Sequence, residues 1–155
     1  NDSVVGNQKI KASFTKKGEL IRLLYGAADY KQFLEFFHTG IKVNDSQIIY
    51  LHDDINNIYS QKYLPNTNIL QTEIFNNYFK INILQTDFIP VNERVLIKKY
   101  VIRNDNQIDL NISFLACSKI ITDINNICTI QEISNPVYNC SRAKFFKNLC
   151  VMYFI

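Results

Sequence analysis

The sequence predicts an all-β protein, an antiparallel β-sandwich, from three observations. Apolar and polar residues alternate with a period of two along most of the chain, turn-forming residues recur roughly every eight to twelve positions, and helical periodicity is nearly absent. Successive side chains of a strand leave opposite faces, so a strand with one buried face must read apolar, polar, apolar.

The first strand is Ile10, Ala12 and Phe14 set against Lys9, Lys11 and Ser13. Thr15-Lys16-Lys17-Gly18-Glu19 follows as a tight turn whose glycine can take positive φ, and Ile21, Leu23 and Tyr25 then alternate with Leu20, Arg22 and Leu24. Tyr30, Phe33, Leu34 and Phe37 fall at helical spacing, and Asp29 with Gln32 resembles a capping box. A short helical turn is therefore expected near residues 30–37. A second hairpin runs through Phe37, Ile41 and Val43, turns at Asn44-Asp45, and returns through Ile48 and Tyr50. The polar, Asn-rich stretch from His52 to Asn68, with Pro65, reads as a long surface connection.

Leu70, Thr72 and Ile74, then Asn76-Asn77, then Phe79, Ile81 and Ile83 give a third hairpin, which Pro90 ends because it cannot donate to a ladder. Val95, Ile97 and Val101 with Leu96, Tyr100 and Ile102 are apolar on both faces and predict a central strand. After Asn104-Asp105-Asn106-Gln107, the alternation of Ile108, Leu110, Ile112, Phe114 and Ala116 predicts an inward-facing row. A hairpin around Asn125-Asn126 joins Ile120-Ile121 to Ile127, Thr129 and Ile133. The tail after Pro136 interleaves Arg142, Lys144 and Lys147 with Phe145, Phe146 and Leu149, and Leu149–Ile155 is expected to add a last strand.

The bulk composition fits one domain over residues 1–155. The chain has 155 residues, 47% of them hydrophobic and 20% charged, and a domain of this size hides roughly 70% of its unfolded surface. Ile, Asn and Lys are abundant together, as in an A/T-rich coding sequence, so single Asn and Lys residues carry little functional information. A net charge of +3 with interspersed signs does not predict a nucleic-acid surface. The apolar run Leu149–Ile155 is far shorter than the roughly 20 residues that cross a bilayer. Asn1-Asp2-Ser3-Val4-Val5 shows neither a basic start nor a long apolar stretch, which favours the cytoplasm and leaves secretion open if a leader is removed. Cys117, Cys128, Cys140 and Cys150 lack paired zinc spacing and are expected to be reduced, with Cys117 and Cys128 inside apolar strands.

No Gly-rich phosphate loop, nucleophile elbow, zinc helix or calcium loop is present, and only 4 glycines are available to build one. His38 or His52 could act as a base near Cys117 or one of the serines, but His38 lies on the outward register of a strand and His52 opens a polar loop. His52-Asp53-Asp54 could gather around a cation, although such runs more often bond local backbone amides. Tyr25, Tyr30, Phe33, Phe36 and Phe37 could stack on sugars, although their spacing favours packing. No catalytic, cofactor-binding or metal residue is assigned.

Gly6-Asn7-Gln8-Lys9-Ile10-Lys11-Ala12-Ser13-Phe14, followed by Gly18-Glu19-Leu20 and Leu24-Tyr25, resembles the start of bacterial and archaeal glucoamylase-like proteins, glycoside hydrolase family 15. The resemblance continues through Asp29–Phe33 and Phe37–Asp45. It is strongest at Gln85-Thr86-Asp87-Phe88-Ile89-Pro90 and at Val95–Asn104. Gln8 replaces the motif's second glycine, and the resemblance fades after Ile121. It implies an N-terminal super-sandwich of the galactose-mutarotase-like type. In that family a separate (α/α)₆ barrel carries two glutamates, general acid and general base of an inverting glucan 1,4-α-glucosidase, held roughly 6.5–9.5 Å apart. No residue here matches those glutamates.

The resulting expectation is a non-catalytic module, excised or from a truncated gene, that supports a helical catalytic domain of the same or a neighbouring polypeptide. An isolated chain of this kind is expected either to self-associate or to be poorly soluble. The alternative is a stand-alone α-glucan-binding module, and a third reading is an independent hydrolase.

Overall fold

The computed structural model describes residues 2–25, 31–32, 34–123, 126–130, 143–146 and 149–152, with backbone alone at Lys31 and from residue 120 onward. Every regular element among the described residues is a strand. In chain order these are β1 (Ser3–Gly6), β2 (Ile10–Phe14), β3 (Leu20–Tyr25), β4 (Lys31–Gln32), β5 (Leu34–Val43), β6 (Ile49–Tyr50) and β7 (Asn57–Tyr63). They continue with β8 (Ile69–Asn76), β9 (Ile81–Phe88), β10 (Ile97–Asn104), β11 (Ile112–Asp123), β12 (Asn126–Ile130), β13 (Ala143–Phe146) and β14 (Leu149–Met152). All pairings are antiparallel, in the orders β1-β2-β3-β4, β10-β9-β8-β7, β12-β11-β5-β6 and β13-β14.

The predicted all-β sandwich is present. The β7–β10 sheet forms one layer, and its inward face meets both the β1–β4 sheet and the β6-β5-β11-β12 sheet. One apolar cluster joins Val5, Ala12, Phe14 and Leu20 to Leu34, Phe37, Leu70 and Ala116, so three sheets contribute to it. A second joins Ile41, Val43, Ile49 and Leu51 to Ile74, Ile81 and Ile83. The strict alternation of β9, with Ile81, Ile83, Gln85 and Asp87 inward, follows directly from the period of two.

The hairpin turns are built by the residues that suit them. Asn44 takes φ 51° between β5 and β6, a conformation Asn tolerates, whereas Lys80 at φ 53° before β9 is an exception. Asn76 Oδ1 accepts the Phe79 amide at 2.8 Å, which closes the β8–β9 turn. The β2–β3 turn closes through Gly18 N–H to Thr15 O at 2.9 Å, with Gly18 at φ 86°. A Cβ on Gly18 would lie 2.8 Å from Thr72 Oγ1, so glycine is required there by the approach to β8 as well as by the turn.

Four expectations are corrected. Residues 34–37 are strand, and Lys31–Gln32 pair with β3, so the helical turn expected near 30–37 is absent among the described residues. The register against β11 shifts between Ile120↔Leu34 and Lys119↔Phe36, which makes Glu35 an extra residue. That bulge separates the inward residues Leu34 and Phe37 by three positions, which imitates a helical step. β10, read as central, lies at the end of its sheet among the described residues, with Ile97 and Val101 exposed on one face. Residues 57–63, inside the expected surface connection, form β7. Its inward side chains Asn57, Tyr59 and Gln61 are polar and hydrogen-bonded, so the apolar alternation that marks a strand is missing. Ile108, placed inward, is exposed ahead of β11.

The backbone pairing of Ile121 with Ile127 agrees with the expected late hairpin, and Leu149–Met152 is a strand as expected. Ile133 and residues 153–155 lie outside the described residues.

Substituting Gly18→Ala forces an L side chain into positive φ and against Thr72. We expect a loss of about 2 kcal/mol or more in chemical denaturation, and an unchanged midpoint would contradict the docking of this turn.

Candidate functional site

Titratable and amide side chains converge between the layers, and strand alternation puts them there. Gln85 and Asp87 continue the inward row of β9, while Lys98 and Tyr100 occupy the inward row of β10. The antiparallel register sets Lys98 opposite Asp87 and Tyr100 opposite Gln85. It also aligns Gln61, Thr72 and Gln85 across β7, β8 and β9.

Lys98 Nζ lies 2.6 Å from Asp87 Oδ1, and the Asp87 side chain is 0% exposed against 9% for Lys98. The ammonium also sits over three rings, 4.7 Å from the Phe14 centroid, 5.5 Å from Phe37 and 5.7 Å from Tyr100. The ring faces supply negative potential to the N–H groups that Asp87 does not receive. Burial pushes the Lys98 ammonium below the usual lysine range, and the charge of Asp87 and its hydrogen bond push back.

Gln85 Nε2 donates to Asp87 Oδ2 at 2.6 Å and to the Gly18 carbonyl at 2.7 Å. Both partners are acceptors, which fixes the amide orientation and leaves Gln85 Oε1 facing His52 Nε2 at 3.0 Å. That contact requires the proton of neutral His52 to be on Nε2. The chain of bonds thus runs from the His52 loop through Gln85 and Asp87 to Lys98, with a branch to the β2–β3 turn. Gln61 Nε2 adds bonds to Thr15 O and Thr72 Oγ1, each 3.0 Å, at the other side of the same turn.

Burial lowers His52 from 6.5 to about 4, against the opposing hydrogen bond to Gln85. Burial likewise pushes the Tyr100 phenol well above its ordinary value, and the Asp87 charge adds to the effect. The Tyr100 hydroxyl lies beside Thr39 without a hydrogen bond of good geometry. Together with Ser118 Oγ, these two hydroxyl oxygens are buried without a hydrogen-bond partner among the described residues. The network is sealed: His52, Gln85 and Asp87 are all buried. Its geometry joins the His52 loop, β9, β10 and the β2–β3 turn.

A second group lies on the outward face of β5, β6 and β11. Phe36 and His38 stack with centroids 5.1 Å apart and planes 13° apart, and Tyr50 meets His38 at 6.3 Å and 75°. Cys117 is paired directly opposite His38. The sequence's Cys–His combination is therefore brought together, but no hydrogen bond links the two side chains among the described residues, and burial pushes the Cys117 thiol up. An unactivated thiol of this kind is a poor nucleophile. Glu19 Oε1 approaches His38 Nδ1 at 3.6 Å, too far for a hydrogen bond. A shallow depression bounded by Lys42, Ser46, Gln47, Ile48, Ser113 and Leu115 continues the same face.

The remaining sequence candidates separate. His52 turns inward to Gln85, whereas Asp54 Oδ1 accepts the Asn56 amide at 2.8 Å as a local turn. Phe37 enters the core, Phe36 stays outside, and Tyr25 accepts a bond from Arg94 Nη1 at 2.7 Å. Tyr30 and Phe33 lie outside the described residues. The sequence reading missed the Asp87–Lys98 pair as a unit. The available signal was a carboxylate on the inward register of a cleanly alternating strand.

Two outcomes test the network. Lys98→Met leaves a buried carboxylate alone and is expected to cost about 3–5 kcal/mol, while Asp87→Leu with Lys98→Met recovers most of that loss. Denaturation of the two single variants and the double gives the coupling, and additive losses would contradict a closed pair. For His52, the unfolded chain takes up a proton below pH 6.5 that the folded chain refuses until about pH 4. Stability is therefore lost as pH falls through that window, by about 3 kcal/mol, and levels off below it. His52→Gln keeps a donor for Gln85 and should remove this component. Parallel pH profiles for the two proteins would contradict it.

A protein of Methanocaldococcus jannaschii named as an uncharacterized glycosyl hydrolase is 28% identical to this chain over 151 residues. The match covers 96% of this chain and 22% of that protein, so the chain spans about a fifth of the relative's length. No family model matches the chain, and no solved structure matches it. The weak homology supports a glycoside hydrolase-like relationship.

Proposed function

We propose that this chain is the non-catalytic β-sandwich module of a glucoamylase-like enzyme of glycoside hydrolase family 15, supporting the folding and packing of a helical catalytic barrel. The observation that carries the reading is the match itself, which takes up 96% of this chain but 22% of a protein named as a glycosyl hydrolase. A catalytic apparatus can then reside in the part of such a protein that this chain does not match.

Two features of the structure support the reading. The titratable groups that converge serve cohesion inside the sandwich, where Asp87 bonds Lys98 through one oxygen and Gln85 through the other. The outward face of the β7–β10 sheet also carries apolar side chains, on either side of a polar row formed by Lys62, Gln71, Thr86 and Lys99. Register places Ile69, Phe88 and Ile97 in one row, Leu84 beside Val101 in another, and Ile58 beside Phe75 in a third. Ile58 is 58% exposed and Val101 47%. Exposed apolar side chains such as these give a second domain a place to pack.

Light scattering of the isolated chain should show self-association that Ile58→Lys with Val101→Lys relieves. The coding sequence beyond Ile155, or a neighbouring gene, should encode a helical barrel with paired glutamates. The purified chain should leave maltoheptaose intact. A monodisperse monomer at millimolar concentration, or turnover of maltoheptaose, would sink the proposal.

A further inference from the structure

We infer that the outward face of β5, β6 and β11 is an oligosaccharide-binding site, with Phe36, His38 and Tyr50 stacking on a pyranose unit and Lys42 and Gln47 bonding its hydroxyls. The class of ligand rests on the glycosidase-module reading. The location rests on geometry alone. Sugar rings carry apolar C–H faces bordered by hydroxyls, so a complementary surface needs exposed aromatic faces next to polar side chains. This face provides both in succession along one strand register.

Phe36, His38, Gly40 and Lys42 share the outward side of β5, and Lys119, Cys117, Leu115 and Ser113 pair with them across β11. The His38 side chain is 48% exposed and Tyr50 is 53% exposed, although each has a neighbouring ring to pack on. The stacked Phe36–His38 pair and the nearly perpendicular Tyr50 ring form a corner, at 13° and 75° respectively. Gly40 makes the corner possible. A Cβ there would lie 2.9 Å from both Ile48 Cγ2 and Ile49 O, so only glycine lets β6 close onto β5 and bring Tyr50 beside His38. Beyond Gly40 the face falls into the depression edged by Lys42, Gln47 and Ser113, where donors and acceptors replace rings. The site lies on the other layer from the apolar β7–β10 face, so occupancy by sugar and packing of a barrel are compatible.

The test is amide NMR of the 155-residue chain titrated with maltoheptaose and, separately, cellohexaose. We expect saturable shifts at residues 36–42, 46–50 and 113–117, with a dissociation constant of about 1 mM. Tyr50→Ala should weaken binding by at least about tenfold. Tyr78→Ala, which removes a 73% exposed tyrosine from the β8–β9 turn, should leave it unchanged. Absence of shifts with either sugar, shifts confined to another surface, or equal weakening by Tyr78→Ala would overturn the site. Binding of cellohexaose alone would keep the site and remove the α-glucan assignment. Binding by a chain that stays monomeric would likewise keep the site while the barrel-packing reading falls.

Discussion

The structure depends on a single ion pair that the sandwich cannot easily afford to break. Asp87 and Lys98 face each other across β9 and β10 at 2.6 Å, with the carboxylate out of reach of water. Removing two charges from water costs several kcal/mol per ion, and their attraction offsets this only with good geometry and satisfied remaining valences. Both conditions hold here. Gln85 takes the second carboxylate oxygen, and Phe14, Phe37 and Tyr100 present ring faces to the ammonium. The pair contributes little to net stability compared with an apolar pair of equal volume, but it penalises every arrangement in which one partner is buried alone.

That penalty selects among packings which apolar residues leave nearly equivalent. The core is rich in Ile, Val and Leu, and such residues tolerate exchange without strongly fixing which strand meets which. A one-residue slip of β10 along β9 would turn Lys98 outward and leave Asp87 buried without its cation. The same logic reaches the β2–β3 turn, because Gly18 O must meet Gln85 and Thr15 O must meet Gln61. The polar row across β7, β8 and β9 is thus a docking rail for that turn. It fixes how the β1–β4 sheet sits on the β7–β10 sheet.

Most strands were legible because their inward side chains are apolar and their turns contain the residues that turns need. Ile10–Phe14, Ile81–Phe88 and the Asn44 turn are of this kind. The errors arose where that code was overwritten. Glu35 adds a residue to β5, so an inward spacing of three looked helical. β7 turns the half-buried Tyr59 and Gln61 inward where alternation expects Ile or Val. β10 has apolar residues on both faces because its outward face is also apolar, a property of surface rather than of position in the sheet. His52 was read as solvated because its neighbours Asp53 and Asp54 are polar, yet its partner Gln85 lies 33 positions away and no local pattern reports it. The aromatic group on β5 and β6 was half visible. Phe36 stood among the sequence candidates, but Tyr50 joins it only through the β5–β6 pairing.

The distribution of chemistry between inside and outside follows from the same constraint. Asp87, Lys98 and His52 are tied into one buried network with Gln85, where gaining or losing a proton from outside would leave a buried charge without its partner. The two outward faces differ in character. Ile58, Phe75, Leu84 and Val101 on β7–β10, set among Glu73, Asn82 and Arg103, offer mixed apolar and polar area, which suits a broad protein contact. Phe36, His38 and Tyr50 on β5 and β6 offer oriented rings beside polar side chains, which suits a small ligand with alternating apolar and hydroxylated surface. A sandwich whose interior is closed by its own charges can present both faces at once, because neither depends on the other for its geometry.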